Sequence, residues 1–236
     1  LPKNNAPRIE AWSYSRYSDY AKCPALAKFK HVEKRKEPEN QYSERGNQVH
    51  TMSQQFTEGI LKKLPKELQG HRQGFDMLRK VQALCEQEWA FNKEWQKTGW
   101  FDRDAWLRIK MDAHYLQSET RMVKRTKVNE DVVVVIDVKS GRIYEDHEKQ
   151  RSLYALGALL VYPTATKVIT KHWYLDQPAG QNEAITEFNG DQLPVLQREW
   201  MARVKPMLND TWFAPRPGNY CRFCFFRKSN GGPCQY

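Results

Sequence analysis

The stretch Val132-Val133-Val134-Val135-Ile136-Asp137-Val138-Lys139-Ser140-Gly141 constrains this chain more than any other. Its five consecutive β-branched apolar residues have no polar phase, so the segment reads as a strand covered on both faces, at the centre of a sheet. Such a strand ends here in an acid and a base. Asp137 and Lys139 lie two positions apart and so leave the same face of the strand. Ser140-Gly141 then breaks the run with turn residues. A lone D-x-K tripeptide is common. It acquires chemistry only beside a second carboxylate, a place for a metal and a polyanionic substrate.

The remaining pattern supplies a frame for that strand. Ser13 or Ser15 can cap a helix carrying Tyr17, Tyr20, Ala21 and Leu26, with Pro24 bending or restarting it. Three- and four-residue apolar steps predict helices over Glu44–Leu64 and about Gly74–Gln96, the second placing Cys85 on an apolar face with Leu78, Val81 and Leu84. From Trp106 the period changes to two. Leu107, Ile109, Met111 and Ala113 alternate with Arg108, Lys110, Asp112 and His114, which predicts a strand with Asp112 on its polar phase. Arg121–Asp131 reads as a polar connection, Glu145–Val161 as a helix, Val168–Leu175 as a strand and Asp191–Leu208 as a closing helix. The expected architecture is α/β: a mixed central sheet flanked by helices, behind a helical N-terminal layer. One domain is expected over 1–236, with a mainly helical part (1–105), an α/β core (106–190) and a C-terminal helix and cysteine tail (191–236).

Lys and Arg number 38 against 28 acids, a net charge of +10 that favours a polyanionic partner such as nucleic acid. No apolar run approaches the ~18–20 residues needed to span a bilayer, and the first residues hold no apolar signal core, so a cytoplasmic protein without membrane contact is expected.

Asp112 and Asp137, on adjoining strands and joined by the backbone carbonyl of Val138, offer hard oxygen ligands suited to Mg²⁺ or Mn²⁺. Lys139 beside them can orient the attacking water or balance charge on a phosphate, while a metal lowers the pKa of that water. With these residues the chain resembles the PD-(D/E)XK nuclease superfamily, and most closely its RecB-type branch, which includes AddB-like nucleases and the iron–sulfur nucleases of CRISPR adaptation. Gly46-Asn47-Gln48-Val49-His50 resembles that branch's G-x-x-x-H element, which implies His50 as a metal ligand. Asp112 matches the first acid, Asp137-Val138-Lys139 the (D/E)-x-K tripeptide, and Gln150-Arg151-Ser152-Leu153-Tyr154 the Q-x-x-x-Y motif. Gln150 and Tyr154, four apart on a helix, share one face and can reach the catalytic strand together. The resemblance implies a restriction-endonuclease-like core and a metal-dependent DNase, an exonuclease on single strands or DNA ends in recombination, repair or replication. Proteins of those processes are its possible partners. The alternatives are a catalytically idle DNA-binding module of the same fold and a restriction-type endonuclease.

Five cysteines remain: Cys23, Cys85, Cys221, Cys224 and Cys234. The C-x-x-C pair at Cys221 and Cys224, with Cys234 in a Gly-Gly-Pro turn, needs a fourth ligand. Cys23 stands where iron–sulfur members of the branch place their first cysteine, so the resemblance implies a 4Fe-4S cluster on Cys23, Cys221, Cys224 and Cys234. Four thiolates serve zinc equally well, and spacing alone does not select the metal. Aromatic residues beside basic ones are candidate stacking sites for single-stranded DNA. Arg16 with Tyr17 and Tyr220 with Arg222 are the leading pairs, and Lys149 and Arg151 flank Gln150 as expected beside a phosphate path.

Overall fold

The five-residue β-branched run does form the middle of a sheet. The computed structural model describes residues 6–123 and 126–236. Its six strands are β1 (Leu84–Phe91), β2 (Lys97–Thr98), β3 (Leu107–Val123), β4 (Thr126–Lys139), β5 (Lys167–Tyr174) and β6 (Glu183–Asn189), in the spatial order β2-β1-β3-β4-β5-β6. Among the described strands only β4 and β5 run parallel, and the helix between them, α5 (His147–Val161), makes the crossover that parallel neighbours require. The other α-helices among the described residues are α1 (Tyr14–Lys22), α2 (Pro24–Ala27), α3 (Gln41–Thr57), α4 (Arg72–Lys80) and α6 (Leu193–Asn209). Among the described residues no helix is long and apolar enough to cross a membrane.

Two cores sandwich the sheet, and β4 feeds both. Val133 and Val135 pack with Leu153, Leu156, Trp200 and Val204 of α5 and α6. Val132, Val134, Ile136 and Val138 pack with Val49, Phe56, Phe75 and Leu78 of α3 and α4. That double cover is why the strand has no polar phase. On the first face Gly157 lets α5 approach closely, since a Cβ there would lie 2.6 Å from Ile109 Cδ1.

Three sequence expectations are corrected. The helix expected over Gly74–Gln96 ends at Lys80, and Gln82, with φ +53°, turns the chain into β1. Residues 84–98, expected in the helical part, thus contribute two strands. Cys85 is buried as expected, but on a strand, and Val81 and Leu84 are 43% and 50% exposed. Leu84, Cys85, Trp89 and Phe91 satisfy helical steps, and tertiary pairing with β3 overrides that pattern. The polar connection expected over Arg121–Asp131 is instead largely strand, with β3 continuing to Val123 and β4 starting at Thr126. The side chains of the basic run Arg121–Lys127 lie outside the described residues. Finally, β3 does not keep one phase. Leu107, Ile109 and Met111 face α5 and α6, whereas Ala113 and Tyr115 join the α3–α4 core, and His114 is 1% exposed rather than solvent-facing.

Candidate active site

The phase of β3 inverts at Asp112, and the site is built around that inversion. Opposite Asp112 on β1 stands Glu86, with φ +51°, and the β1–β3 ladder pairs Cys85 with Ala113 and Gln87 with Met111 but skips these two acids. A non-glycine residue held at positive φ is strained and persists where the surroundings demand it. The β3–β4 ladder likewise begins only at Ala113 with Ile136. Asp112 therefore sits at a gap in the β1–β3 ladder and one residue past the end of the β3–β4 ladder, and its Oδ2 accepts the Val138 N–H at 2.6 Å.

His50 on α3 reaches the same carboxylate, Nδ1 to Oδ1, at 3.0 Å. The helix is oriented by a latch. Arg45, five residues before His50 on α3, donates both Nη groups to Asp176 at 2.6 and 2.5 Å. Asp176 also accepts the Gly141 N–H at 2.6 Å, just past Lys139. Gly141 has φ +97°, a turn geometry that suits glycine. Bidentate arginine–carboxylate geometry fixes direction as well as distance, so α3 and the end of β4 are tied together.

Asp137 and Lys139 leave β4 on the face covered by α5. Lys139 Nζ lies 2.7 Å from Asp137 Oδ2. The other oxygen accepts the Tyr154 hydroxyl at 2.5 Å, and Gln150 Nε2 donates to Tyr154 at 2.8 Å. Gln150 and Tyr154 are thus brought together on one face of α5. Behind Asp137, the fully buried His172 of β5 stands with Nε2 3.9 Å from Oδ2, too far for a direct bond.

The electrostatics divide the two acids. Burial pushes the Asp112 carboxyl upward and the neighbouring Asp137 charge adds to it, against the His50 and Val138 contacts. Burial would also raise Asp137, but Lys139, His172 and Tyr154 outweigh it and hold that carboxyl below the usual range. Asp137 in return raises the Lys139 ammonium against burial, and Asp112 does the same for His50. Burial, then Asp137, keeps the Tyr154 phenol protonated, as its donor role requires.

His50, Glu86 and Asp112 each bring a ligand atom within 4.8 Å of the others. Two carboxylates and an imidazole suit a hard divalent ion, with imidazole favouring Mn²⁺ over Mg²⁺. Asp112 and Asp137, with side chains 14% and 3% exposed, bring two carboxylates together out of water, and a cation between them would offset their repulsion. The donor set therefore fits a metal. Glu86 was not anticipated from sequence, since a helix was expected there. The alternation of Cys85, Gln87, Trp89 and Phe91 with Glu86 and Glu88 was the available signal.

Other expected residues lie elsewhere. The Tyr17 ring is buried edge-on against Trp200, centroids 5.3 Å apart, and offers no face to a base. That expectation is corrected: helical spacing put Tyr17 in the core. Arg151 turns away from Gln150, donating to Thr186 Oγ1 at 2.9 Å and approaching His172. It braces β5 and β6 instead of lining a phosphate path. Lys149 is exposed. Tyr220 donates to the Arg216 carbonyl, and Arg222 Nε to the Asn219 carbonyl at 3.1 Å, both in the cysteine lobe.

In that lobe Cys23, Cys221, Cys224 and Cys234 line one small cavity of about 20 Å³, with Phe29 in its wall packed against Phe226. The Arg216 and Gly218 amides donate to the sulfurs of Cys23 and Cys221 at 3.3 Å each. Burial raises the Cys224 thiol, and Cys234, Cys221 and Cys23 add to that shift. Clustered sulfurs receiving N–H bonds fit a thiolate-bound metal.

The family model of the PD-(D/E)XK nuclease superfamily matches residues 11–229. A comparison with curated protein sequences found no match. Among solved structures, a protein from Eubacterium rectale provisionally described as an exonuclease aligns at 14% identity, covering 91% of this chain and 88% of its own, with a TM-score of 0.45. SSO0001 aligns at 14% identity over 94% and 87%, with a TM-score of 0.37. The family match spans the D-x-K strand and all of the sheet and its helices, and on it the chain belongs to the PD-(D/E)XK nuclease superfamily.

Proposed function

We propose that this nuclease is a divalent-metal-dependent deoxyribonuclease that hydrolyses phosphodiester bonds, acting as an exonuclease on single strands or DNA ends. The observation that carries the reading is the gathering of His50, Glu86, Asp112 and Asp137 beside Lys139 at one interrupted point of the sheet. His50, Glu86, Asp112 and Asp137, with the Val138 carbonyl, would hold Mg²⁺ or Mn²⁺. A bound ion there supplies Lewis acidity and a more acidic water. Lys139 keeps Asp137 ionised and presents an ammonium to the scissile phosphate. Tyr154, held by Gln150, fixes the Asp137 carboxylate from the other side. The preference for ends rests on the motif resemblance and calls for a direct test. End-labelled single- and double-stranded DNA should be degraded with Mg²⁺ or Mn²⁺ and left intact in EDTA. Release of mononucleotides from one end supports an exonuclease, whereas internal fragments favour the restriction-type alternative. No cleavage with any divalent ion would leave a DNA-binding module.

A second reading concerns the cysteines. The four sulfurs gather from both ends of the chain, which supports a metal centre tying α1 to the tail. A 4Fe-4S cluster is the favoured occupant and zinc the alternative. Protein prepared without oxygen should be brown, absorbing near ~400 nm, and Cys23→Ser should bleach it. Stoichiometric zinc without iron would reject the cluster, and full metal retention in Cys23→Ser would remove Cys23 from the ligands.

A further inference from the structure

Gln150 and Tyr154 also line a groove of about 560 Å³, whose walls carry Ile109, Trp100 and Phe101. A second cavity, of about 1020 Å³, continues from it toward α6, and Arg16, His31 and Arg108 line both. The two arginines meet because the N-terminal segment is stitched to β3. The Trp12 N–H donates to the Trp106 carbonyl at 2.7 Å, and the Arg108 N–H to the Trp12 carbonyl at 2.9 Å.

Neither guanidinium is matched by an acid among the described residues. Arg16 Nη1 donates to the Ala11 carbonyl at 2.5 Å and Arg108 Nε to the Trp100 carbonyl at 2.8 Å. Asp19, on the helix of Arg16, is engaged by His31 at 2.8 Å and Lys30 at 3.1 Å. Burial, and after it Arg108, lowers the Arg16 pKa. Two half-buried like charges with only neutral acceptors repel each other, and a bound anion relieves that repulsion. The second cavity mixes Glu10, Glu94 and Asp104 with Arg8, Lys34, Lys93 and Arg103, whereas the groove itself is lined by no acid and, with Lys110 paired to Glu86, leaves Arg16 and Arg108 as its unmatched charges.

Two aromatic rings stand at the same wall. The Arg108 guanidinium lies 5.9 Å from the Trp100 ring. Phe101 also lines the groove and is 90% exposed. A cationic grip beside an uncovered ring is the arrangement that holds a nucleotide with its base unstacked from its neighbours.

We propose that one unpaired nucleic-acid strand leaves the catalytic carboxylates along this groove, with Arg16 and Arg108 gripping a single phosphate and Trp100 and Phe101 stacking the adjoining base. This rests on the nuclease reading and names its substrate as a single strand, because a base inside a duplex has no free face to stack.

The test is binding of a fluorescein-labelled oligothymidylate to the full chain in EDTA, read by anisotropy across a salt series. Arg16→Gln with Arg108→Gln should bind at least about tenfold more weakly, with a salt slope shallower by about 0.7 per lost phosphate contact. Phe101→Ala should lose about threefold or more on oligothymidylate and nothing on an abasic strand of equal length. Phe101 is a surface residue, so this arm stands even if the double arginine variant does not fold. An unchanged affinity and slope in a folded double variant, or an equal loss on both strands for Phe101→Ala, overturns the proposal. Hydrolysis of the p-nitrophenyl ester of thymidine 5′-monophosphate by the unaltered chain with Mn²⁺ tests the nuclease reading separately. Its absence would reject that reading, while the binding arms still decide whether the groove holds a strand.

Discussion

Replacing Lys139 by alanine tests both the chemistry and the stability of the site. Its ammonium lies 2.7 Å from a carboxylate that is 3% exposed. At an effective dielectric near 20 the gross attraction is roughly 6 kcal/mol. Part of it is offset, because the ammonium, 22% exposed, regains hydration when the chain unfolds. Asp137 also keeps Tyr154 and Gln150 as donors. Removing one partner of a buried pair typically costs 3–5 kcal/mol, so a loss near the lower end, about 3 kcal/mol, is expected. For a chain of this size that lowers Tm by roughly 6–12 °C. The penalty should shrink with added Mn²⁺, since a cation beside Asp137 replaces part of the lost charge. DNA cleavage should fall roughly 10²–10⁴-fold even at saturating metal. The assays are thermal unfolding with and without Mn²⁺, and degradation of end-labelled DNA. A variant as stable as the parent that cuts at a near-normal rate would falsify the assignment of Lys139 and of the carboxylate it holds.

Glu86→Gln should weaken Mn²⁺ binding at least roughly tenfold by isothermal titration, the scale seen when metal-site groups are lost; unchanged affinity removes Glu86 from the ligand set. Gly157→Ala drives a methyl toward Ile109 Cδ1 and Trp89 Cε3, 2.6 and 3.2 Å away, and should cost about 1–3 kcal/mol in denaturant unfolding. Asp19→Asn removes the shared partner of His31 and Lys30, with an expected loss of about 2 kcal/mol at neutral pH. Burial alone would raise the Asp19 carboxyl, but those two partners depress it overall. Its contribution is therefore complete above the unfolded carboxylate value near ~3.9 and is lost as pH falls through the lower folded value. The stability gap between parent and variant should close in that acid range, and a gap that instead persists at low pH would contradict the ion-pair account.

The sequence by itself determined the centre of this protein. A run of five β-branched residues reads as a doubly covered strand, and two charges at its end, two positions apart, had to emerge together on one face, the one that meets the helix carrying Gln150 and Tyr154. Those features were legible because strand and helix periods are local properties of the chain. The tertiary structure decided what local periodicity leaves open. Residues 84–91 carry apolar spacings that satisfy a helix or a strand, and only pairing with β3 made them β1. That pairing brought Glu86 opposite Asp112, and the strained turn there inverted the phase of β3, which a strict alternation could not anticipate. Tyr17 and Arg151 carried the right chemistry for DNA yet were drawn into the core and against β6. Arg16 and Arg108, 92 positions apart, became neighbours through two backbone bonds at Trp12. The physical reason is common to all of these. A ligand set or a pair of like charges is defined by distances between segments, and those distances are fixed only when the sheet closes and the cores on its two faces are packed.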